Sequence, residues 1–210
     1  DKTSLKRFLR FLDRNLAKHF ERYEIICVID GDSYTHTKAI ERFVEDCSCP
    51  SLSVITMSFF QGLELSMKAG TDLSIGDFVL EFDTCAIDYK SSTITDCYRE
   101  CLKGNDIVSV CPVSPRNRHS KLFYRIFNAF SNIQQDLTSE SFRILSRRAL
   151  NRVGSVNANL VYRKAAYACS GLKTKSIFYT PISKKVAHYS KEAKRSRRAV
   201  AINSLILFTD

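Results

Sequence analysis

YEIICVIDGDS, residues 23–33, packs Ile25, Ile26, Cys27, Val28 and Ile29 into one apolar run and then stops on Asp30, Gly31, Asp32 and Ser33. A short apolar run closed by turn formers is a strand buried on both faces, as in a parallel sheet. Upstream, Leu5, Phe8, Leu9, Leu12, Leu16 and Phe20 recur at helical spacing behind Thr3 and Ser4, which predicts an amphipathic helix over 3–20. Downstream, helices are expected over 37–46, 62–73 and 91–103. They alternate with strands in LSVITM (52–57), DFVLEFD (77–83) and DIVSVCP (106–112). Such alternation predicts an α/β sandwich with a mainly parallel central sheet and helices on both faces.

Past Pro115 the pattern loosens. An aromatic helical stripe runs over 121–132 through Leu122, Phe123, Ile126, Phe127 and Phe130. SFRILSR (141–147) reads as a strand leading into a helix, 157–169 as a helix, and KSIFYTPI (175–182) as the last strand. Residues 183–210 begin very basic and end apolar. We divide the chain into a main domain over 1–182 and a C-terminal helix over 183–210.

The formal charge of +10 is unevenly placed: 13 Lys and Arg against 17 Asp and Glu up to Asn105, then 19 against 5. The two halves should therefore do different work, with phosphorylated ligands or anionic lipid meeting the basic one. No nucleic-acid-reading module accompanies the basic stretches, so nucleic acid is not an expected partner. Several of the eight cysteines lie in apolar runs (Cys27, Cys111, Cys169) and no CxxC occurs, which points to packing in a reducing compartment and not to disulfides or zinc. No run reaches the roughly 20 apolar residues of a membrane-spanning helix.

In open parallel sheets ligands bind beyond the carboxyl ends of the strands. Asp30, Asp32 and Asp83 lie at such ends, with Asp88 close behind. Carboxylates gathered there suit a hard divalent cation bridging a diphosphate. Asp83 is accordingly expected at the mouth of the largest cavity, beside Asp30 or Asp32.

These residues also carry a resemblance. YEIICVIDGDS is similar to the YEIIVVDDGS segment of the family-2 glycosyltransferases. Gly62, Glu64, Ala69 and Gly70 match GxExxxxAG, and Gly76-Asp77 before FVLEFD matches the approach to that family's metal motif. SFRILSRRAL resembles the FRLLSR signature of the dolichyl- and polyprenyl-phosphate sugar transferases, and YTPI, HYS and the basic C-terminal stretch follow the same branch. The family's first strand, with its PxYNE-like turn, is not in this sequence.

The resemblance implies a GT-A fold, Rossmann-like in character. It implies an inverting glycosyltransferase that moves a sugar from a nucleotide-diphosphate donor to a lipid-phosphate acceptor, at or anchored to the cytoplasmic face of an anionic membrane. The alternatives are a soluble transferase to a saccharide hydroxyl in surface-polysaccharide synthesis, or a degenerate, non-catalytic binding domain. Nucleotide-sugar binding falls to Asp30, Asp32, Gly62 and Asp83. Phosphate and acceptor binding fall to Arg116, Arg118, Arg143 and Arg147. A divalent metal, Mg²⁺ or Mn²⁺, would sit on Asp83 with help from Asp88, because Cys85 holds the second carboxylate position of the DxD motif and a soft thiol is a poor Mg²⁺ ligand. Asp83 thus carries the catalytic metal role, and Glu140 is the candidate general base for a hydroxyl acceptor.

Overall fold

The computed structural model describes residues 2–31, 34–113, 123–125, 127–129, 138–156, 162–183 and 191–208. Helix α1 (Lys2–His19) leads into β1 (Glu24–Ile29), followed by α2 (Tyr34–Val44), β2 (Ser51–Thr56), α3 (Leu63–Leu73), β3 (Phe78–Glu81), α4 (Ser92–Leu102) and β4 (Ile107–Pro112). Then come β5 (Phe142–Ser146), the helices Arg147–Val156 and Arg163–Ala168, β6 (Thr174–Tyr179) and the helix Lys191–Phe208. The alternation read from the sequence is present, with element ends shifted by a few residues.

The strands form two sheets. β1 and β2 pair in parallel, and the second sheet has the order β3-β5-β4-β6. There β4 and β6 are parallel, while β5 runs antiparallel between β3 and β4, setting Glu81 opposite Arg143 and Val110 opposite Phe142. Strands β3, β4 and β6 therefore share one direction and β5 opposes them. β1 joins that direction: Glu24, at its amino end, accepts from the Ile75 and Gly76 amides at 2.8 and 3.3 Å, just before β3 begins. The carboxyl ends of β1, β3, β4 and β6 thus gather on one edge, and the reversed β5 delivers the residues at its amino end to the same edge.

One apolar core joins both sheets. Phe8, Leu9, Leu12 and Leu16 of α1 pack with Ile25 and Ile29 of β1, Phe43 of α2, Cys97 and Cys101 of α4, and Phe142 and Ile144 of β5. The helical spacing of the α1 residues gives one apolar stripe, which this core buries. Strand β4 is apolar at every position but Ser109 because it is central and covered on both faces. Phe82 links the layers, edge-on to Phe8 at 5.2 Å and tilted against Phe142 at 5.0 Å. All eight cysteines are free, and Cys97, Cys101 and Cys111 are buried, in keeping with a packing role.

Candidate active site

Side chains alternate along a strand, so Glu81 and Asp83, two residues apart at the end of β3, turn to one side. Both meet Arg163, the first residue of the helix Arg163–Ala168. Its Nε donates to Glu64 at 2.9 Å, one terminal nitrogen to Glu81 at 2.6 Å and the other to Asp83 at 3.0 Å. Its backbone N–H also donates to Glu64 at 3.0 Å, so the carboxylate in the first turn of α3 satisfies an open amide at the start of a second helix. Arg143 repeats the motif from β5, donating to Glu140 at 2.7 Å and to Glu81 at 2.8 Å while standing 3.7 Å from Asp83. The Tyr167 hydroxyl donates to Glu81 at 2.8 Å.

This network is buried: the Arg143 and Arg163 side chains are each 2% exposed and Glu81 1%. Burying charges costs several kcal/mol per ion unless pairing and hydrogen bonding are nearly complete, and here the forked guanidiniums supply both. Burial alone would raise the Asp83 and Glu140 carboxyls. For Asp83 the charges of Arg163, Arg143 and Lys164 prevail and hold it well below the usual carboxylate range. For Glu140, Arg143 and Lys164 likewise outweigh burial and lower it. Burial would lower Lys164, but Glu140, 3.9 Å away, leads the charges that raise it.

A second set of contacts lies beside it. The Asp30 carboxylate, at the end of β1, accepts from the Gln61 and Gly62 amides at 2.6 and 2.8 Å and so ties down the loop after β2. Gly31 and Gly62 have φ of 84° and 90°, and both positions are closely approached. A Cβ on Gly31 would stand 3.2 Å from the Phe60 amide nitrogen, and one on Gly62 2.7 Å from Ser196 Oγ. Glycine is the residue that accepts both conditions. Ser196 belongs to the helix Lys191–Phe208, which also packs Val200 against Phe127, Tyr162 and Ala165 and buries Ser204. That helix crosses the carboxyl edge and is docked through its small residues, while Lys191, Lys194, Arg195, Arg197 and Arg198 stay exposed.

Contacts run without a break from Asp30 to Gly62, from Glu64 two residues on to Arg163, and from Arg163 to Asp83. The structure therefore brings Asp30, Gly62, Asp83, Glu140 and Arg143 to one edge. Arg147 is elsewhere: its guanidinium donates to the Gly76 carbonyl and to Ser74 Oγ, at the amino end of β3. Asp88 turns inward, 1% exposed, and accepts from the Tyr179 hydroxyl at 2.7 Å. Asp32, Arg116 and Arg118 lie outside the described residues. Asp83 does not open on the larger of the two main cavities, about 820 Å³, which lies between α1 and α2; the smaller, about 350 Å³, is lined by Arg147, Arg163 and Tyr167.

Sequence reasoning missed Glu81, Arg163, Lys164 and Tyr167. A signal for Glu81 existed: a glutamate inside an apolar strand, two residues before Asp83, must face the same way. Arg163 gave none, since an arginine at a helix start is ordinarily solvated.

No protein-family model matches the chain. It is 25% identical over 167 residues, 75% of its length, to an uncharacterized glycosyltransferase of Synechocystis sp.. It is 23% identical over 190 residues, 84% of its length, to CsbB of Bacillus subtilis, also named as a glycosyltransferase. The chain spans about half the length of these curated relatives, 50% and 56%. Among solved structures, the mannosyltransferase PcManGT of Pyrobaculum calidifontis, in complex with GDP-Man and Mn²⁺, superposes with a TM-score of 0.59 at 15% identity, covering 96% of this chain and 62% of that one. The fold is that of the GT-A glycosyltransferases. A synthase of Anaerococcus prevotii, 4-diphosphocytidyl-2C-methyl-D-erythritol synthase, superposes at 0.57 with 12% identity, covering 96% of this chain and 89% of that one. The GT-A fold alone thus does not choose a reaction; both sequence relatives are named as glycosyltransferases.

The GT-A mannosyltransferase holds Mn²⁺ with its nucleotide sugar, which makes the fit of a cation here a specific question. Asp83 is given to Arg163, and Asp88 is held by Tyr179. Burial raises the Cys85 thiol, which keeps it protonated at neutral pH and a poor ligand for a hard cation. Among the described residues no group of three or more His, Cys, Asp or Glu could hold a metal ion. Among the described residues the arrangement does not fit a divalent cation.

Proposed function

We propose that this chain is the donor-binding part of an inverting glycosyltransferase that passes a sugar from a nucleotide diphosphate to a polyprenyl-phosphate-type acceptor. The observation that carries this reading is the continuous chain of contacts from Asp30 through Gly62, Glu64 and Arg163 to Asp83, at the carboxyl edge where folds of this kind bind ligands. The reaction would be one in-line displacement at the anomeric carbon, with inversion. Asp30, Asp32, Gly62 and Asp83 would face the donor, and Arg116 and Arg118 the diphosphate, since arginine forks match phosphate oxygens. Positioning and charge neutralisation then account for most of the rate.

The state of Glu140 favours a phosphate acceptor over a saccharide hydroxyl. A hydroxyl nucleophile needs a general base poised near the working pH, whereas Arg143 and Lys164 hold Glu140 below its ordinary value. A phosphate oxygen is already anionic and needs no such base. The exposed basic face of the helix Lys191–Phe208 suits peripheral attachment to an anionic membrane, where such an acceptor resides.

A second reading, a glycosyltransferase-like binding domain without turnover, draws on one observation: Asp83 is engaged by Arg163 and followed by Cys85. Thermal-shift titration with UDP- and GDP-sugars, followed by transfer of labelled sugar to polyprenyl phosphate, separates the two. Transfer supports the enzyme. Donor binding without transfer to lipid phosphate or saccharide supports the binding domain, and no binding of any nucleotide sugar overturns both.

A further inference from the structure

The larger cavity shares no lining residue with the contacts at the carboxyl edge, and its chemistry is distinct. We propose that the groove between α1 and α2 is a binding site for a ligand carrying two or more phosphate groups. Although the N-terminal half of the chain is net acidic, seven of its 13 Lys and Arg line this one groove of about 820 Å³. On α1 they fall at Lys6 and Arg7, Arg10, Arg14 and Lys18, near one another every four residues, a rise of about 6 Å per step along one helix face. Lys38 and Arg42, one turn apart on α2, form the facing wall.

Lys6 and Arg10 share the carboxylate of Asp46. Arg7, Arg14, Lys18 and Arg42 meet no carboxylate among the described residues, so their charge is available to a ligand. Two 11-residue helices add their amino ends to the groove, α2 through Thr35 and α4 through Ser91, and such ends favour anions. On the same wall Asn15, 7% exposed, donates to the Ser91 carbonyl at 3.2 Å, while its own Oδ1 is buried without a partner. A buried acceptor left open is costly.

The shape argues against two other anions. Single-stranded nucleic acid needs exposed rings for its bases. Of the described residues lining the groove Phe11 is the one Phe or Tyr, and it is half-buried edge-on to Tyr89 at 6.0 Å. A bilayer surface is flat and does not reach the floor of a cleft between two helices.

The test titrates inorganic tripolyphosphate into the protein with excess guanosine, which carries no phosphate, present to occupy a nucleoside pocket, following binding by calorimetry. Saturable binding is expected that weakens with salt and falls by at least roughly tenfold in Arg7→Gln/Arg14→Gln/Arg42→Gln, three exposed phosphate contacts being removed. No saturable binding, or equal binding by that variant, overturns the site. Tighter binding of a single-stranded oligonucleotide, or of phosphatidylserine vesicles, at the same salt overturns the ligand class. Unchanged circular dichroism of the variant is expected, because all three side chains are exposed on helices. Should it nonetheless misfold, competition of tripolyphosphate against differential alkylation of Lys18 and Lys38 in the native chain decides the matter, protection supporting the site and its absence overturning it.

Discussion

Arg163 donates to Asp83 across 80 residues of sequence, at 3.0 Å, and the same guanidinium holds Glu81 and Glu64. Three segments, the start of α3, the end of β3 and the helix Arg163–Ala168, thus depend on one buried side chain. Removing it leaves carboxylates buried without their partner. Arg163→Met is expected to destabilise the fold by about 3–5 kcal/mol, since breaking one side of a buried ion pair has that cost. Urea unfolding of the two proteins measures it, and a loss under about 1 kcal/mol would show that the network relaxes without Arg163.

Acid stability follows from the same contact. The folded Asp83 carboxyl lies below its unfolded value of about 3.9, so its contribution is fully present above that pH. It is lost progressively as pH falls below about 4 towards the folded value. Asp83→Asn should therefore be less stable than the parent at neutral pH and show a shallower decline of stability between about pH 4 and pH 2. Identical slopes for the two proteins would mean that another group governs that window.

At Gly62 a side chain faces two obstacles, a φ of 90° and Ser196 Oγ at 2.7 Å from the added Cβ. Gly62→Ala should cost about 1–3 kcal/mol, the range for a residue forced into a rarely populated backbone region. Ser196→Gly in the same chain should recover the steric part and leave the backbone part. A double-mutant cycle with no coupling would separate the C-terminal helix from this loop.

Because Asp83 is committed to Arg163, Mn²⁺ without nucleotide is expected to leave the melting temperature unchanged, and a chelator likewise. A clear rise with Mn²⁺ alone would show that Arg163 gives way to a cation.

Vesicle sedimentation tests the exposed face of the last helix. Phosphatidylserine vesicles should bind the protein at low salt. Lys194→Ala/Arg195→Ala/Arg198→Ala should weaken binding by up to about 3 kcal/mol, at about 1 kcal/mol for each basic residue near an anionic surface. Equal binding by the variant would move the contact to another face.

The sequence by itself determined the α/β alternation, because each element has its own period: two-sided apolar runs in β1 and β4, and a four-residue stripe in α1. It also placed Asp30 and Asp83 at strand ends, since a strand stops where its apolar run meets Gly or Asp. Tertiary structure alone decided what those carboxylates touch. β5 enters antiparallel between β3 and β4, which sets Arg143 opposite Glu81 and sends Arg147, four residues on, to the far edge. No local pattern encodes that reversal, because a buried strand reads alike in either direction. Likewise the basic residues of α1 and α2 are spread over 37 positions, from Lys6 to Arg42, in a half of the chain that is net acidic. They become one groove because the apolar faces of those two helices pack on the same core, which sets their basic flanks side by side.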